Sequence, residues 1–277
     1  MIELAPHHKY GLPIANPVML AAGTVGYGEA LPPGLQTAQL GAVVVGPFLR
    51  HSRAGHAPPR LAETNGGLVL DTGLQNRGVN AATKRFAARW PELGCPVIAQ
   101  IGDTQPRMAA AVAARLASEP GLLGVEVLVP RYATPQDAAD LVRAVVRACD
   151  LPVLAKLPQA TAMQLAPAVV DEEVAALVVG EPHLGASVDA ASGATVIGGL
   201  HGPLAFAPML LSLGQLAALD LGCPLVACGG IHTLAQARQA LAAGAVALQL
   251  DSVVWVEPGI PALLAAQLAA PSDGEEG

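Results

Sequence analysis

Gly41-Ala42-Val43-Val44-Val45-Gly46 is a valine-rich apolar run, too short for a helix and closed by a glycine ahead of a long polar loop. Such a run reads as a strand buried on both faces, the kind found in parallel sheets. Seven others share the pattern: Val18 to Ala22, Val97 to Ile101, Gly124 to Val129, Val153 to Leu157, Ala175 to Gly180, Leu225 to Cys228 and Ala245 to Leu250. Between them lie Ala/Leu-rich stretches with apolar residues three and four apart, among them Pro106 to Ser118, Thr134 to Ala148, Ala207 to Ala218 and Leu234 to Ala243. This alternation predicts a parallel sheet with crossover helices. Eight repeats in a chain of 277 residues predict the α/β class as a single (β/α)8 TIM barrel, more economically than an open doubly wound sheet. No Gly-rich fingerprint opens a first βα unit, which counts against a dinucleotide-binding fold.

The chain is 52% hydrophobic, enough to bury a large core as one domain. We read 1-270 as that domain, opened by an N-terminal β-hairpin, and 271-277, small and acidic, as a flexible tail. Charged residues are only 13%, about half the usual share, so part of the surface is expected to be covered by another subunit. A net charge of −7 with scattered Lys and Arg excludes an electrostatic footprint for nucleic acid or anionic membrane. There is no signal-peptide pattern and no apolar run of the ~18 residues a membrane span needs, so the expected location is the cytoplasm. The cysteines, Cys95, Cys149, Cys223 and Cys228, show neither CxxC nor metal-ligand spacing and read as buried, inert thiols.

In a barrel, chemistry sits on the loops that follow the strands. Two are unusually long: Pro47 to Arg77 after the second strand, and Glu181 to Gly198 after the sixth, where Ser192-Gly193 marks a hairpin turn. The first is basic, with Arg50, His51, Arg53, His56 and Arg60, and reads either as a solvated lid or as a place for an anionic ligand or partner. His7 and His8 precede the barrel and read as solvent-exposed.

Six motifs in order now become specific: Asn16-Pro17-Val18-Met19-Leu20-Ala21-Ala22-Gly23-Thr24-Val25-Gly26-Tyr27-Gly28, Pro58-Pro59-Arg60-Leu61-Ala62-Glu63-Thr64, Gly73-Leu74-Gln75-Asn76-Arg77-Gly78-Val79, Lys156-Leu157-Pro158, Gly198-Gly199-Leu200-His201-Gly202-Pro203 and Cys228-Gly229-Gly230-Ile231. Together they resemble the class 1 dihydroorotate dehydrogenases over nearly the whole chain. The resemblance implies FMN-dependent oxidation of dihydroorotate to orotate in pyrimidine synthesis, with the cofactor carrying the redox step and the protein removing a proton. It places the backbone at Ala22 and Gly23 beside the flavin ring and Lys156 at the flavin's electron-rich edge. It makes Gly198-Gly199 and Gly229-Gly230 turns that cradle the FMN phosphate, with Ser252 beside them. Gly73 and Leu74 would border the substrate.

The departures are as informative. The family's strand-two lysine falls on Gly46, and its asparagines fall on Leu70, Leu128 and Gly180. No Cys, Ser or Asn lies between Gly121 and Thr134, where the catalytic base belongs. A site built to hydrogen-bond a polar substrate loses ~10⁴-fold when those pairings fail, and an absent proton acceptor costs ~10² to 10⁴ more. Asp251 stands where the family has a small residue in the phosphate pocket, and His201 and His232 where it often has serine; a carboxylate there repels phosphate. These losses predict a barrel without orotate oxidation and with FMN binding in question, serving as a structural or regulatory subunit in a homo-oligomer or with a catalytic paralogue. Two alternatives stay open. One is an active FMN oxidoreductase with a less polar substrate. The other is metal-assisted hydrolysis using Glu181, His183, His201, His232 and Asp251, which no HxH or HxxxH spacing supports.

Overall fold

The computed structural model describes residues 1–270, so the acidic tail 271-277 lies outside the described residues. Eight strands form the barrel: β1 (Val18–Leu20), β2 (Ala42–Phe48), β3 (Val97–Ile101), β4 (Gly124–Leu128), β5 (Val153–Pro158), β6 (Ala176–Glu181), β7 (Leu225–Cys228) and β8 (Ala245–Leu250). They close in chain order, each parallel to its neighbours, with β8 pairing back onto β1. Closure leaves no strand edge unpaired. Around it run α1 (Val79–Phe86), α2 (Pro106–Leu116), α3 (Pro135–Val146), α4 (Ala162–Val170), α5 (Phe206–Ala217), α6 (Leu234–Ala242), a short α7 (Val253–Val256) and α8 (Ile260–Ala269). Capping boxes start α3 (Thr134 with Asp137) and α6 (Thr233 with Gln236), satisfying backbone donors the first turn cannot. No described helix is long and apolar enough to cross a membrane.

Residues alternate along each strand between two cores. Outward side chains such as Val43, Val45, Val125, Val127 and Val179 pack under the helices. Inward ones, including Met19, Val44, Ile98, Leu154, Val178 and Val226, fill the barrel. The N-terminal hairpin, Ile2–Glu3 paired with Pro13–Ile14, joins this inner core through Leu4, Leu12 and Ile14. Leu12 reaches Gly124, the first residue of β4, so the hairpin plugs the bottom and leaves the other end as the functional mouth.

The mouth is covered by a structure that joins the two long excursions. Leu61–Thr64, Gly67–Leu70, Leu184–Val188 and Thr195–His201 pair into one four-stranded antiparallel sheet, with the two Gly67–Leu70 and Thr195–His201 strands in the middle. The predicted turn holds: Val188 faces Thr195, Gly193 has φ 72°, and Asp189 accepts from the Ser192 N–H at 2.8 Å. One face packs Ala62, Val69 and Val196 into a small core of its own.

Two expectations about glycines change. Gly198-Gly199 is not a turn; it lies in the middle of an extended strand, with Gly199 facing Leu184 on one side and Leu70 on the other. A Cβ on Gly198 would sit 2.3 Å from the Leu70 carbonyl oxygen, so close strand approach requires glycine here. The second strand runs past Gly46 to Phe48, with a break in register: Val45 faces Ala99 but Phe48 faces Ile101. Gly46 and Pro47 therefore bulge. Gly46 has φ +110°, and a Cβ there would lie 2.9 Å from Phe48 Cδ2 and 3.0 Å from the Gln100 carbonyl oxygen, so the bulge excludes the side chain that the family carries at this point.

Gly198→Ala should loosen the lid sheet by about 1–3 kcal/mol through overpacking while sparing the barrel. Limited proteolysis should then cut within 184–201 before any loss of far-ultraviolet circular dichroism.

Candidate functional site

The floor of the mouth is the last inward layer of the barrel. Below it the inward side chains are apolar. In it, β3, β4, β5 and β8 supply Gln100, Glu126, Lys156 and Gln249, all buried. Glu126 accepts from Gln100 Nε2 at 2.7 Å and from Gln249 Nε2 at 2.5 Å, and Lys156 Nζ donates to Gln249 Oε1 at 2.8 Å. Lys156 Nζ lies 3.6 Å from Glu126. Burial works against the Lys156 ammonium, the Glu126 and Asp251 carboxylates favour it, and the net shift is upward, so the lysine stays charged. Burial pushes the Cys228 thiol up to about 11, leaving it neutral.

Lys156 is a buried member of this floor, with its ammonium turned to Gln249 and Glu126. Gly180 is explained by the same packing: a Cβ there would meet Cys228 Cβ at 2.4 Å and Lys156 Cε at 2.9 Å, so the space of the family's asparagine is filled.

Above the floor opens a cavity of about 610 Å³. Ala22, Gly23 and Thr24 line it from the loop after β1, Leu128 and Arg131 from the end of β4, Glu181 from β6, Asp251 and Trp255 from the end of β8. The lid contributes Leu70, Gly73, Leu74, Leu184, Ile197, Gly198, Gly199 and His201. On the substrate side, Arg131 Nε bonds Glu181 Oε1 at 2.8 Å, and Arg131 also donates to the Pro182 carbonyl. Burial raises the Glu181 carboxyl, with Arg131 and Lys156 opposing. Leu70 and Leu128 turn the remaining wall apolar.

The phosphate end holds its own carboxylate. Asp251 Oδ2 lies 3.0 Å from His201 Nδ1, Ser252 Oγ donates to Asp251 Oδ1 at 3.1 Å, and His232 Nε2 lies 3.1 Å from Ser252 Oγ. Burial alone would raise the Asp251 carboxyl, yet His201 and the Ser252 hydrogen bonds hold it below the usual carboxylate range. Burial lowers His232, with Asp251 opposing. Some backbone donors nearby are committed, Gly229 N–H to the Gln249 carbonyl at 3.4 Å and His232 and Thr233 N–H to Gln236 Oε1 at 2.8 and 3.1 Å. Gly230 serves packing, since a Cβ would lie 2.2 Å from the Phe206 nitrogen at the start of α5. The ring end of a flavin would still find the Ala22–Thr24 edge open, with nothing within 4 Å of a Cβ on Gly23. The phosphate end does not fit FMN, because the buried Asp251 carboxylate stands in it.

Among the described residues no group of three or more His, Cys, Asp or Glu is placed to hold a metal. Glu181, His201, His232 and Asp251 are instead tied to the partners named above. The layer of Gln100, Glu126 and Gln249 escaped the sequence reading, although its signal was there: single polar residues at inward positions of otherwise apolar strands.

With the geometry in place, comparison with known proteins is direct. The model of the dihydroorotate dehydrogenase family matches residues 7–270. The chain belongs to the dihydroorotate dehydrogenase family. It is 35% identical to the dihydroorotate dehydrogenase B (NAD(+)) catalytic subunit of Desulforudis audaxviator, covering 93% of this chain and 89% of that protein. It is 31% identical to the catalytic subunit of the same name from Geobacter sulfurreducens, covering 93% and 90%. Among solved structures, the dihydroorotate dehydrogenase of Eimeria tenella in complex with ferulenol superposes with a TM-score of 0.77 at 16% identity, over 93% of this chain and 83% of that one. That likeness concerns the fold.

Within this dihydroorotate dehydrogenase-family barrel, Glu126→Leu should leave Lys156 buried without its counter-charge and cost about 3–5 kcal/mol, most of it regained in Glu126→Leu with Lys156→Met; urea melts of the wild type and the two variants check this. Asp251 has a depressed folded pKa, so its stabilisation is complete above the ordinary carboxylate range and is lost as pH falls through the folded value. Asp251→Asn should remove that acid-side loss in unfolding midpoints followed from about pH 7 to about pH 3.

Proposed function

We propose that this barrel does not oxidise dihydroorotate and serves as a structural or regulatory member of its family, linked to pyrimidine synthesis. One observation carries the reading: the Arg131–Glu181 ion pair occupies the wall where the family's catalytic base belongs. Orotate needs donors and acceptors along its carboxylate and imide-like edges, and here it would meet Leu70, Leu128 and an arginine already paired. The other carboxylates on the wall, Asp71 and Asp251, are likewise paired with His56 and His201, and Glu181, paired through Oε1, keeps its buried Oε2 without a hydrogen-bond partner.

The relatives named above are catalytic subunits, members of assemblies by their own description. An assembly with a second copy or a catalytic paralogue is supported here by the lid hairpin, which exposes Leu184, Val188 and Ile197 at 59%, 58% and 64%. Side chains of this kind, so exposed and so close together, are what a subunit contact covers.

A second reading keeps the chain an enzyme: an FMN-dependent oxidoreductase with a less polar substrate. The open edge at Gly23 and the apolar wall favour it. Absorption spectra, FMN titration and a dihydroorotate assay with ferricyanide separate the two. We expect colourless protein, no saturable FMN binding and no orotate. A flavin spectrum with orotate formation would overturn the proposal; bound flavin without orotate would move it to the second reading.

Light scattering should give a mass above the 27.9 kDa of one chain. Val188→Glu with Ile197→Glu should shift it toward that value.

A further inference from the structure

The cleft has two lobes of different charge. The inner lobe is the cavity described above. The outer, of about 430 Å³, opens between the loop after β1 and the Gly46-Pro47 bulge, and shares Gly23, Pro47, Arg53 and Thr72 with the inner one. Every carboxylate on the inner wall already has its base, at 2.9 Å for Asp71 with His56, 2.8 Å for Glu181 with Arg131 and 3.0 Å for Asp251 with His201. The outer lobe is lined by Arg53 and Arg77 and by no carboxylate. Neither arginine forms an ion pair among the described residues.

The segment that carries the two arginines is anchored. Ser52–Arg53 pairs antiparallel with Asn76–Arg77. Asn76 ties this ribbon to the barrel: its Oδ1 accepts from the Gly78 N–H at 2.8 Å and the Leu49 N–H at 3.3 Å, and its Nδ2 donates to the Pro47 carbonyl. The Arg77 N–H donates to the Tyr27 hydroxyl at 3.2 Å, and its guanidinium carbon lies 6.0 Å from the Phe86 ring centroid. Gln75 gives its Oε1 to Arg60, which leaves the side-chain NH2 as its remaining group.

Two guanidinium forks without a counter-charge, held at the rim of a cleft whose inner wall is apolar, match one ligand chemistry. We propose that the cleft binds an amphipathic anion, with its flat apolar body in the inner lobe and its carboxylate or phosphate at Arg53 and Arg77. That is the end of the cleft which Asp251 does not line, so the anion avoids the one carboxylate that closes the family's phosphate pocket. This rests on reading the cleft as a site for something other than orotate. Its test uses neither flavin nor dihydroorotate, so the two readings fail separately.

The full chain is titrated with anilinonaphthalene sulfonate, an aromatic anion, and with N-phenylnaphthylamine, its uncharged counterpart, following probe fluorescence. The sulfonate should bind saturably and more tightly than the amine. Arg53→Gln with Arg77→Gln should weaken the sulfonate about tenfold, the loss of charge-assisted bonds to one anion, and leave the amine unchanged. Both arginines are exposed, and melting temperature and circular dichroism verify that the variant is folded. Benzoate and phenyl phosphate then compete with the sulfonate: displacement by either supports the site and identifies the anion, carboxylate or phosphate. An unchanged sulfonate affinity in the double variant, equal weakening of both probes, no saturable binding, or displacement by neither competitor would overturn it.

Discussion

An ammonium and a carboxylate 3.6 Å apart, sealed in a closed barrel, are the constraint on which the mouth depends. Removing both charges from water costs several kcal/mol each, and their attraction repays it only if the remaining polar atoms are also bonded. Gln100 and Gln249 supply those bonds from β3 and β8, so four strands are fixed to one another at a single level. Below that level the barrel interior is hydrocarbon; above it begins the cleft. A half-satisfied version of this network would be worse than an apolar core, which is why its members are all buried and all paired.

The residues around the mouth are coupled to that layer and to one another. Gly180 is compatible only with Cys228 and Lys156 as they stand, since any Cβ there collides with both. Gly46 sits in a bulge of positive φ that excludes a lysine. Arg131 has Glu181 as its partner, and Asp251 has His201. At each of these positions a neighbour fills the space or neutralises the charge. A mouth repacked in this way is a different surface, and single reversions would meet backbone or a buried ion where the old side chain used to fit.

Much of the fold was legible in the chain because parallel strands buried on both faces leave a plain mark: short valine-rich runs at regular intervals, as in Ala42 to Val45. The N-terminal hairpin and the turn at Ser192-Gly193 were legible for the same local reason. The lid was not. Its strands at 61–70 and 184–201 find each other across nearly half the chain, and no local pattern encodes such a pairing. Gly198-Gly199 was misread because a glycine pair looks alike in sequence whether it makes a turn or lets two strands approach closely. The partners of Lys156 come from strands far away in sequence, and only the inward alternation of Glu126 and Gln249 hinted at them.

Charge within the cleft is arranged so that the interior wall is close to neutral while the rim is not. Each carboxylate on this wall has a basic partner, at Asp71, Glu181 and Asp251, with Glu181 Oε2 left without a hydrogen bond, and the pocket keeps about 610 Å³. The groups that stabilise the barrel lie in the closed sheet and under the helices, whereas those that decide chemistry lie on the loops beyond the strand ends. The Glu126–Lys156 layer is the boundary between the two sets.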